Sequence, residues 1–336
     1  MKRLLGIVVI VTFVVVFGLF NASKVYATTV IKFQSVYPQT SFITENLIFF
    51  ADKVKEYTNG EVEVKLYWPG QLVKTQEAFS ALQRGMIDGL AVSAQYAVGF
   101  MPEGNGEWLP SSWENKEAMI DIYFNHGFLD LIRTAAAQHD IRYVAPLACG
   151  SMGLLTKFPV HKMEDLKGKK IKTAGMSGDI MMALGATPVT ISQSEQYMAL
   201  QRGTIDGIYY PWYPIETYKF YEVITHIIQP AFHTPSLVPI WLSGKVWDGL
   251  SSANKDAINR AGKEAMLAAA AVSDAKDERA LRFSEEKGVG IIRLSPEEEQ
   301  RFWEKVMGTY ETHAKKSALC AKQVEIIKKY RKEKGN

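Results

Sequence analysis

The spacing of apolar residues after position 28 alternates between the two-residue repeat of a strand and the longer repeat of a helix. Thr29–Phe33 is rich in β-branched side chains and predicts a strand, and Thr44–Tyr57 gathers its apolar side chains on one helical face. Glu61–Tyr67 alternates again, and a similar series of strand, helix and strand runs through residues 169–191. This order of elements predicts layered α/β architecture.

The last third of the chain has a helical pattern. Asn254–Gly288 is a long Ala-rich stretch, and two further segments, Glu297–Tyr310 and Lys322–Lys332, combine a buried face with a charged outer face. We therefore predict one long helix and two terminal helices.

The first 27 residues have the three parts of an export signal. Lys2 and Arg3 precede the apolar run Leu4–Phe20, and Val25-Tyr26-Ala27 puts small residues before Thr28. A membrane anchor is the alternative, but the run is at the short limit for a span and the A-x-A-like site favours cleavage. We expect a periplasmic protein that is not inserted in the membrane after signal removal.

Charge and cysteine content exclude several classes of protein. The 336 residues include 39 Lys and Arg against 36 Asp and Glu, and the signal segment holds three basic residues and no acid. The rest of the chain is therefore neutral, which disfavours a nucleic-acid partner. The 2 cysteines are too few for a disulfide scaffold or a four-Cys zinc site. Whether Cys149 and Cys320 pair is left open by their distant positions.

An internal repeat is the most informative feature of the sequence. Residues 77–89 read EAFSALQRGMIDG and residues 195–207 read EQYMALQRGTIDG, with nine identities in thirteen positions. Each copy predicts a short helix that ends at a left-handed glycine, Gly85 or Gly203, before a turn into a strand. Two matching units predict two similar α/β lobes, and a cleft between lobes is a favoured site for a small molecule.

Catalytic and cofactor motifs are missing from the sequence. No H-E-x-x-H, P-loop, G-x-G-x-x-G or G-x-S-x-G pattern occurs, and the 6 histidines form no spaced metal pair. We therefore expect a solute receptor that is not an enzyme and has no cofactor and no metal-site residues, while co-binding of a cation with the solute is left open. A secreted enzyme on the same two-lobed scaffold and a periplasmic ligand sensor are the alternatives.

From Thr28 to about Cys320 the chain resembles the solute-binding proteins of tripartite ATP-independent periplasmic (TRAP) transporters. The matching segments are Tyr37-Pro38, GEVEVKLYWPGQL at 60–72, ALQRGMIDG at 81–89 and the long stretch LKGKKIKTAG…LQRGTIDG at 166–207. The resemblance implies a type II periplasmic-binding fold with a long lobe-spanning helix, a mostly monomeric state and a TRAP membrane permease as partner. It implies a first lobe of residues 28–149 and about 236–275, and a second of residues 150–235 and about 276–336.

The resemblance also implies binding residues, and two of them depart from the family pattern. Lys172 stands where the family usually has an arginine that grips a substrate carboxylate with two prongs, and an ammonium does not reproduce that geometry. A second basic residue often follows the first crossing between lobes, where this chain has Ser151 and its neighbours instead. Both departures predict a small organic solute that is less acidic than usual or is held largely by aromatic rings and hydrogen bonds.

The other candidate residues follow predicted strand ends, except Phe232, which lies near the predicted return crossing and either faces the cleft or lines the hinge. Tyr210 and Trp212 offer ring surface with a polar tip, and Gln193 replaces a frequent aromatic. For each first-lobe candidate a simple turn or surface role is equally compatible with the sequence. The remaining candidates are Tyr37, Gln71, Ser93, Tyr96, Gly175 and Phe232.

Overall fold

The computed structural model describes residues 28–334, so the predicted signal at 1–27 lies outside the described residues. The strands are β1 (Thr29–Ser35), β2 (Val62–Tyr67), β3 (Gly89–Ala91), β4 (Ile141–Ala148), β5 (Met152–Thr156), β6 (Lys170–Lys172), β7 (Thr187–Val189), β8 (Gly207–Pro211), β9 (His226–His233), β10 (Leu237–Ser243) and β11 (Gly290–Arg293). The helices are α1 (Phe42–Tyr57), α2 (Ala78–Gln83), α3 (Lys116–Asn125), α4 (Phe128–Ala137), α5 (Met176–Ala183), α6 (Gln196–Gln201), α7 (Gly244–Gly249), α8 (Ser252–Glu286), α9 (Pro296–Val306), α10 (Gly308–Ala314) and α11 (Ala318–Glu333).

Within residues 28–334 the strands form two separate sheets. The first has the order β2-β1-β3-β10-β4 and the second has the order β11-β9-β5-β8-β6-β7. The chain passes from the first sheet to the second between β4 and β5, and returns between β9 and β10. The mixed α/β architecture predicted from the sequence is therefore confirmed, with one sheet for each copy of the repeat.

The two copies of the repeat have the same local structure. Gly85 and Gly203 end α2 and α6 with φ of 66° and 70°, the left-handed conformation that glycine adopts without strain. The aspartates that follow act alike: Asp88 Oδ2 accepts a hydrogen bond from Lys32 N at 2.9 Å, and Asp206 Oδ2 accepts one from Lys170 N at 2.8 Å. Each repeat thus fastens its turn to the neighbouring parallel strand.

The long helix α8 joins the two halves of the molecule. It spans 35 residues and is capped by Ser251, whose side chain accepts a hydrogen bond from Asn254 N. Along its length it contacts α1 and β4 of the first half and β11 of the second. Small side chains, mostly alanine, form its buried face, which allows close approach to both sheets.

The C-terminal helices differ from the prediction. The predicted helix 297–310 is divided at Met307 into α9 and α10, and the last helix begins at Ala318, four residues before the predicted start. Ser317 caps this start, because its hydroxyl accepts a hydrogen bond from Cys320 N at 3.0 Å. The lobe boundaries stay predictions, and α11 fits them least because it packs on α3 and α4 rather than on the second sheet.

Candidate functional site

A cavity lies between the two sheets, at the ends of strands from both. Its empty space, including the open mouth, is about 500 Å³. Residues after β1 and β3 line one side, residues at the carboxyl ends of β6 and β8 line the other, and the two crossings between the sheets close the back. This is where strand ends of α/β sheets place their ligands.

More than half of the predicted site residues meet at this cavity. They come from both halves of the molecule, so a ligand in the cavity would touch both walls. The predicted residues that line it are Tyr37, Ser93, Tyr96, Lys172, Gln193 and Tyr210.

Gln71 and Trp212 do not line the cavity. Gln71 is exposed and its side-chain oxygen accepts a hydrogen bond from Trp68 N at 2.9 Å, so it stabilises its own turn. Trp212 is 4% exposed and belongs to the apolar core beneath the second sheet. The indole lies against Gly153, where the absence of a side chain leaves room for a large ring.

Three further candidates surround the cavity without lining it. Phe232 is stacked between the rings of Tyr209 and Phe302, with ring-centre distances of 5.7 and 4.0 Å, and is therefore a core residue. Ser151 lies in the crossing after β4, where its amide N–H donates to Asp277 Oδ2 at 2.6 Å. Gly175 precedes α5 with a φ of 51°, and a Cβ there would lie 2.8 Å from the side-chain oxygen of Asn105.

Several cavity residues were not among the predicted candidates. Tyr209 belongs to the apolar core, and one side of it also faces the cavity. The segment around Trp108 has no strand or helix periodicity, so no sequence signal brings it to the site. The other unpredicted lining residues include Cys149, Met152, Tyr213 and Ser236.

Lys172 is the main charged group at the cavity. Its side chain is 3% exposed, and burial lowers the pKa of its ammonium group from 10.5 to about 8. The ammonium nitrogen lies 5.1 Å from the centre of the Tyr210 ring, within the range of a cation–π contact. Among residues 28–334 no carboxylate pairs with it, so a buried positive charge faces the cavity without a counter-ion.

A hydrogen-bonded chain fixes the floor of the cavity. Burial lowers the pKa of His233 to about 4, so the imidazole is neutral. His233 Nε2 donates to the carbonyl oxygen of Trp108 at 3.0 Å, and His233 Nδ1 therefore accepts from the Tyr209 hydroxyl. The Tyr209 hydroxyl proton is thus engaged, which leaves its oxygen to act towards a ligand as an acceptor.

Three polar atoms of lining residues lack a hydrogen-bond partner within the described chain. They are the indole N–H of Trp108, the side-chain oxygen of Gln193 and the hydroxyl of Ser236. Buried polar groups without partners are costly, so a ligand that completes their hydrogen bonds would be stabilised. The set offers both a donor and an acceptor beside the Lys172 charge.

The walls of the cleft touch each other beside the cavity. Ser177 of α5 donates from its hydroxyl to Gln95 Oε1 at 3.0 Å, and Met176 N donates to Asn105 Oδ1 at 3.0 Å. On the other side, the rings of Phe42 and Tyr213 pack edge to face at 5.7 Å. The structure is therefore closed around the cavity.

Other chemistry at the cavity is limited. Cys149 and Cys320 are both buried and free, and burial raises the pKa of each thiol. In the part of the chain that the structure describes, no three His, Cys, Asp or Glu side chains are grouped to hold a metal ion. Among the helices of residues 28–334, none combines the length and apolar character needed to cross a membrane.

Two α/β halves with a closed cleft between them, joined by two crossings and a long helix, define a two-lobed periplasmic-binding fold. The family model described as bacterial extracellular solute-binding protein, family 7, matches residues 33–317. The chain belongs to this family of solute-binding receptors, which includes the TRAP solute-binding proteins.

Relatives with known names agree with this assignment. The chain is 28% identical over 284 residues to the C4-dicarboxylate-binding periplasmic protein DctP of Rhodobacter capsulatus, covering 83% of this chain and 84% of that protein. A TRAP periplasmic solute-binding protein from Rhodobacter sphaeroides in an apo open form matches with a TM-score of 0.70 and 28% identity, covering 91% of this chain and 98% of that one. Another from Ochrobactrum anthropi, with its C-terminus bound in the ligand pocket, matches with a TM-score of 0.78 and 27% identity, covering 92% and 97%.

Proposed function

We propose that this protein binds a small organic acid in the cleft and delivers it to a TRAP membrane permease. The observation that carries the proposal is Lys172, a buried ammonium group at the cavity with no carboxylate partner among residues 28–334. A buried charge is stabilised by an opposite charge with good geometry, and a ligand carboxylate would supply it. The name of the Rhodobacter capsulatus relative, which binds C4-dicarboxylates, supports an acid as the ligand.

The proposed ligand carries more than a carboxylate. Trp108 Nε1 would donate to an acceptor, and Gln193 Oε1 would accept from a donor such as a hydroxyl. The rings of Tyr37 and Tyr210 would enclose its carbon skeleton from opposite walls. A hydroxy acid or a similar acid with one further polar group fits these demands.

Closure follows from contact with both walls. A ligand that binds Lys172 on one side and Tyr37 on the other binds the closed form better than the open form, so it shifts the population towards closure. We infer that the closed, loaded protein docks on the permease, which is driven by an ion gradient rather than ATP. Export by the segment 1–27 belongs to the same proposal and would place the receptor in the periplasm.

Calorimetric titration of the mature protein tests the ligand. Organic acids should bind, whereas their uncharged amides should not, since an amide brings no charge to Lys172. Lys172→Met should weaken binding of the acid by more than about a hundredfold. Lys170→Met is the matched control, because Lys170 is exposed on the same strand and should leave binding unchanged. Equal binding of acid and amide, or an unaffected Lys172→Met variant, would overturn the proposal.

Whole-cell uptake tests delivery. Uptake of the acid should be lost when the gene is deleted and should also be lost when the ion gradients are dissipated. Uptake that persists without the receptor would contradict the transport role and favour a sensor.

A further inference from the structure

A second and larger space adjoins the cavity between the two halves of the molecule. Its empty volume, including the open mouth, is about 1310 Å³. Val36, Pro38 and Pro69 line it from the first half, and Tyr197, Tyr218 and Phe220 line it from the second. We call this space the outer chamber and the cavity at Lys172 the inner cavity.

The outer chamber adjoins the inner cavity, and Gln193, which lines both spaces, lies at the border between them. On one wall the Tyr210 ring of the inner cavity lies 6.2 Å from the ring of Tyr218 and 5.7 Å from that of Phe220. On the opposite wall Val36 and Pro38 line the outer chamber and flank Tyr37, which lines the inner cavity.

The outer chamber differs chemically from the inner cavity. Tyr197 presents its ring, because its hydroxyl donates to Glu222 Oε2 at 2.6 Å. Its charged lining residue, Lys74, is exposed and therefore solvated, in contrast to the buried Lys172. Aliphatic, proline and aromatic side chains face each other across the space, with polar side chains such as Thr75 and Gln76 near its edge.

We propose that the outer chamber is a subsite for an apolar tail of the acid whose carboxylate Lys172 binds. The ligand class is a monocarboxylate with an alkyl or aryl body that extends past Gln193. This inference rests on the proposed function, because it takes the carboxylate at Lys172 as its fixed point. The alternative is a water-filled entrance that contributes nothing to affinity.

A series of monocarboxylates of increasing tail length tests the subsite. The probes are the straight-chain acids from butanoate to decanoate, each with and without a 2-hydroxyl group, and the matching phenyl-substituted acids. Each methylene that enters an apolar site should raise affinity by about fourfold. We expect this increase to begin with the tail length that reaches beyond Gln193.

A filling variant separates the two spaces. Gln76 is exposed and lines only the outer chamber, so Gln76→Trp should fill that chamber without touching the inner cavity. We expect Gln76→Trp to lower the affinity of long-tailed acids by more than about tenfold and to leave butanoate binding unchanged. Ser80→Trp is the matched control, because Ser80 is exposed on α2 and lines neither space.

A second variant removes part of the wall instead of filling the space. Tyr218→Ala should also weaken the long-tailed acids selectively, since Tyr218 is half-buried beside Phe220. Unchanged binding of butanoate by each variant shows that the protein is folded.

The outcomes distinguish this inference from the proposed function. Acids that bind with no dependence on tail length, or that lose affinity equally in Gln76→Trp whatever their length, would overturn the subsite and leave the acid receptor intact. Failure of every carboxylate to bind the unaltered protein would overturn both.

Discussion

The strands beside the two copies of the repeated unit differ at one pair of equivalent positions. Gln34 on β1 is in register with Leu90 of the first sheet, and Lys172 on β6 is in register with Ile208 of the second. Both side chains are buried, at 0% and 3% exposed. Gln34 donates to Val73 O at 2.8 Å and accepts hydrogen bonds from two backbone N–H groups at 2.9 and 3.0 Å. Lys172 has no comparable partner among residues 28–334.

The same contrast continues along the adjacent strand. Val92 follows β3 in the first sheet and is a buried core residue. The corresponding residue after the second turn is Tyr210, whose ring faces the cavity beside Lys172. The first unit therefore uses its buried polar group to hold its own loop, and the residue after its strand packs in its own core. The other leaves both available to a ligand, although the backbone is the same.

The largest loss of stability should be at Phe79, the aromatic position that corresponds to Tyr197 in the second unit. Phe79 packs edge to face against Phe100 and Trp241, at 5.6 and 5.4 Å. Phe79→Ala should lower the free energy of unfolding by about 3 kcal/mol because it leaves a cavity in the core. Tyr197→Ala should cost about 1 kcal/mol, since Tyr197 is half-buried and its hydroxyl partner Glu222 is exposed. Urea unfolding measures both, and equal losses would contradict the difference in burial.

The equivalent positions Gln34 and Lys172 should respond to the same substitution with opposite signs. Gln34→Met removes three hydrogen bonds from the loop at Leu72 and Val73 and should destabilise the protein by about 2 kcal/mol. Lys172→Met removes a buried charge that has no partner and should stabilise the unliganded protein at neutral pH. Thermal unfolding of both variants without ligand checks the signs. Destabilisation by Lys172→Met would mean that the ammonium group has a stabilising partner.

The lowered pKa of Lys172 predicts opposite effects of pH on stability and on binding. Its pKa is about 8 in the folded state and 10.5 in the unfolded chain, so between these values the unfolded state binds more protons. The Lys172 contribution to unfolding free energy therefore rises with pH in this window, by about 1.4 kcal/mol per pH unit. Acid affinity should fall above about pH 8, because the binding ammonium loses its proton.

The difference in unfolding free energy between the original protein and Lys172→Met isolates the Lys172 contribution from that of the other titrating groups. Chemical unfolding between about pH 8 and pH 10.5 should give a difference in unfolding free energy between the two proteins that becomes smaller as pH rises. A difference that does not change with pH would mean that Lys172 keeps its ordinary pKa.

The smallest expected losses of stability are those at the two left-handed glycines, and these losses should be equal in the two units. Gly85→Ala and Gly203→Ala each force a side chain into a left-handed conformation, at φ of 66° and 70°, and should cost about 1 kcal/mol each. Gly99→Ala is the control, because a Cβ at Gly99 meets nothing within 4 Å and its φ is not positive. Clearly unequal losses would show that the two turns are not equivalent in energy.

Much of the fold could be predicted because its signals are local. The repeat, its glycines and the alternation of strand and helix depend on residues close in sequence, and the structure has each of them. The break at Met307 and the start at Ala318 were missed, since a cap such as Ser317 is a weaker signal than periodicity.

The lining of the cavity was predicted in part, and the candidates that do not line it share one feature. Lys172 and Tyr210 lie at the carboxyl ends of β6 and β8 and Tyr37 follows β1, so topology alone brings them to the cavity. Trp212 and Phe232 also follow or end strands, but their rings turn into the core against Gly153 and Phe302. A sequence pattern shows where on a strand a side chain lies, but it does not show which residues that side chain packs against.

The sequence alone therefore determined the class of this protein: two α/β lobes with a repeated turn and membership in a family of solute receptors. Only the tertiary structure decided which polar groups are satisfied and which are left open. The amide of Gln34 and the ammonium of Lys172 occupy the same place in equivalent units, but a loop at residues 72–73 hydrogen-bonds the first, whereas no carboxylate among the described residues pairs with the second. Partners of this kind come from distant parts of the chain, so packing and not local pattern determines where a ligand binds.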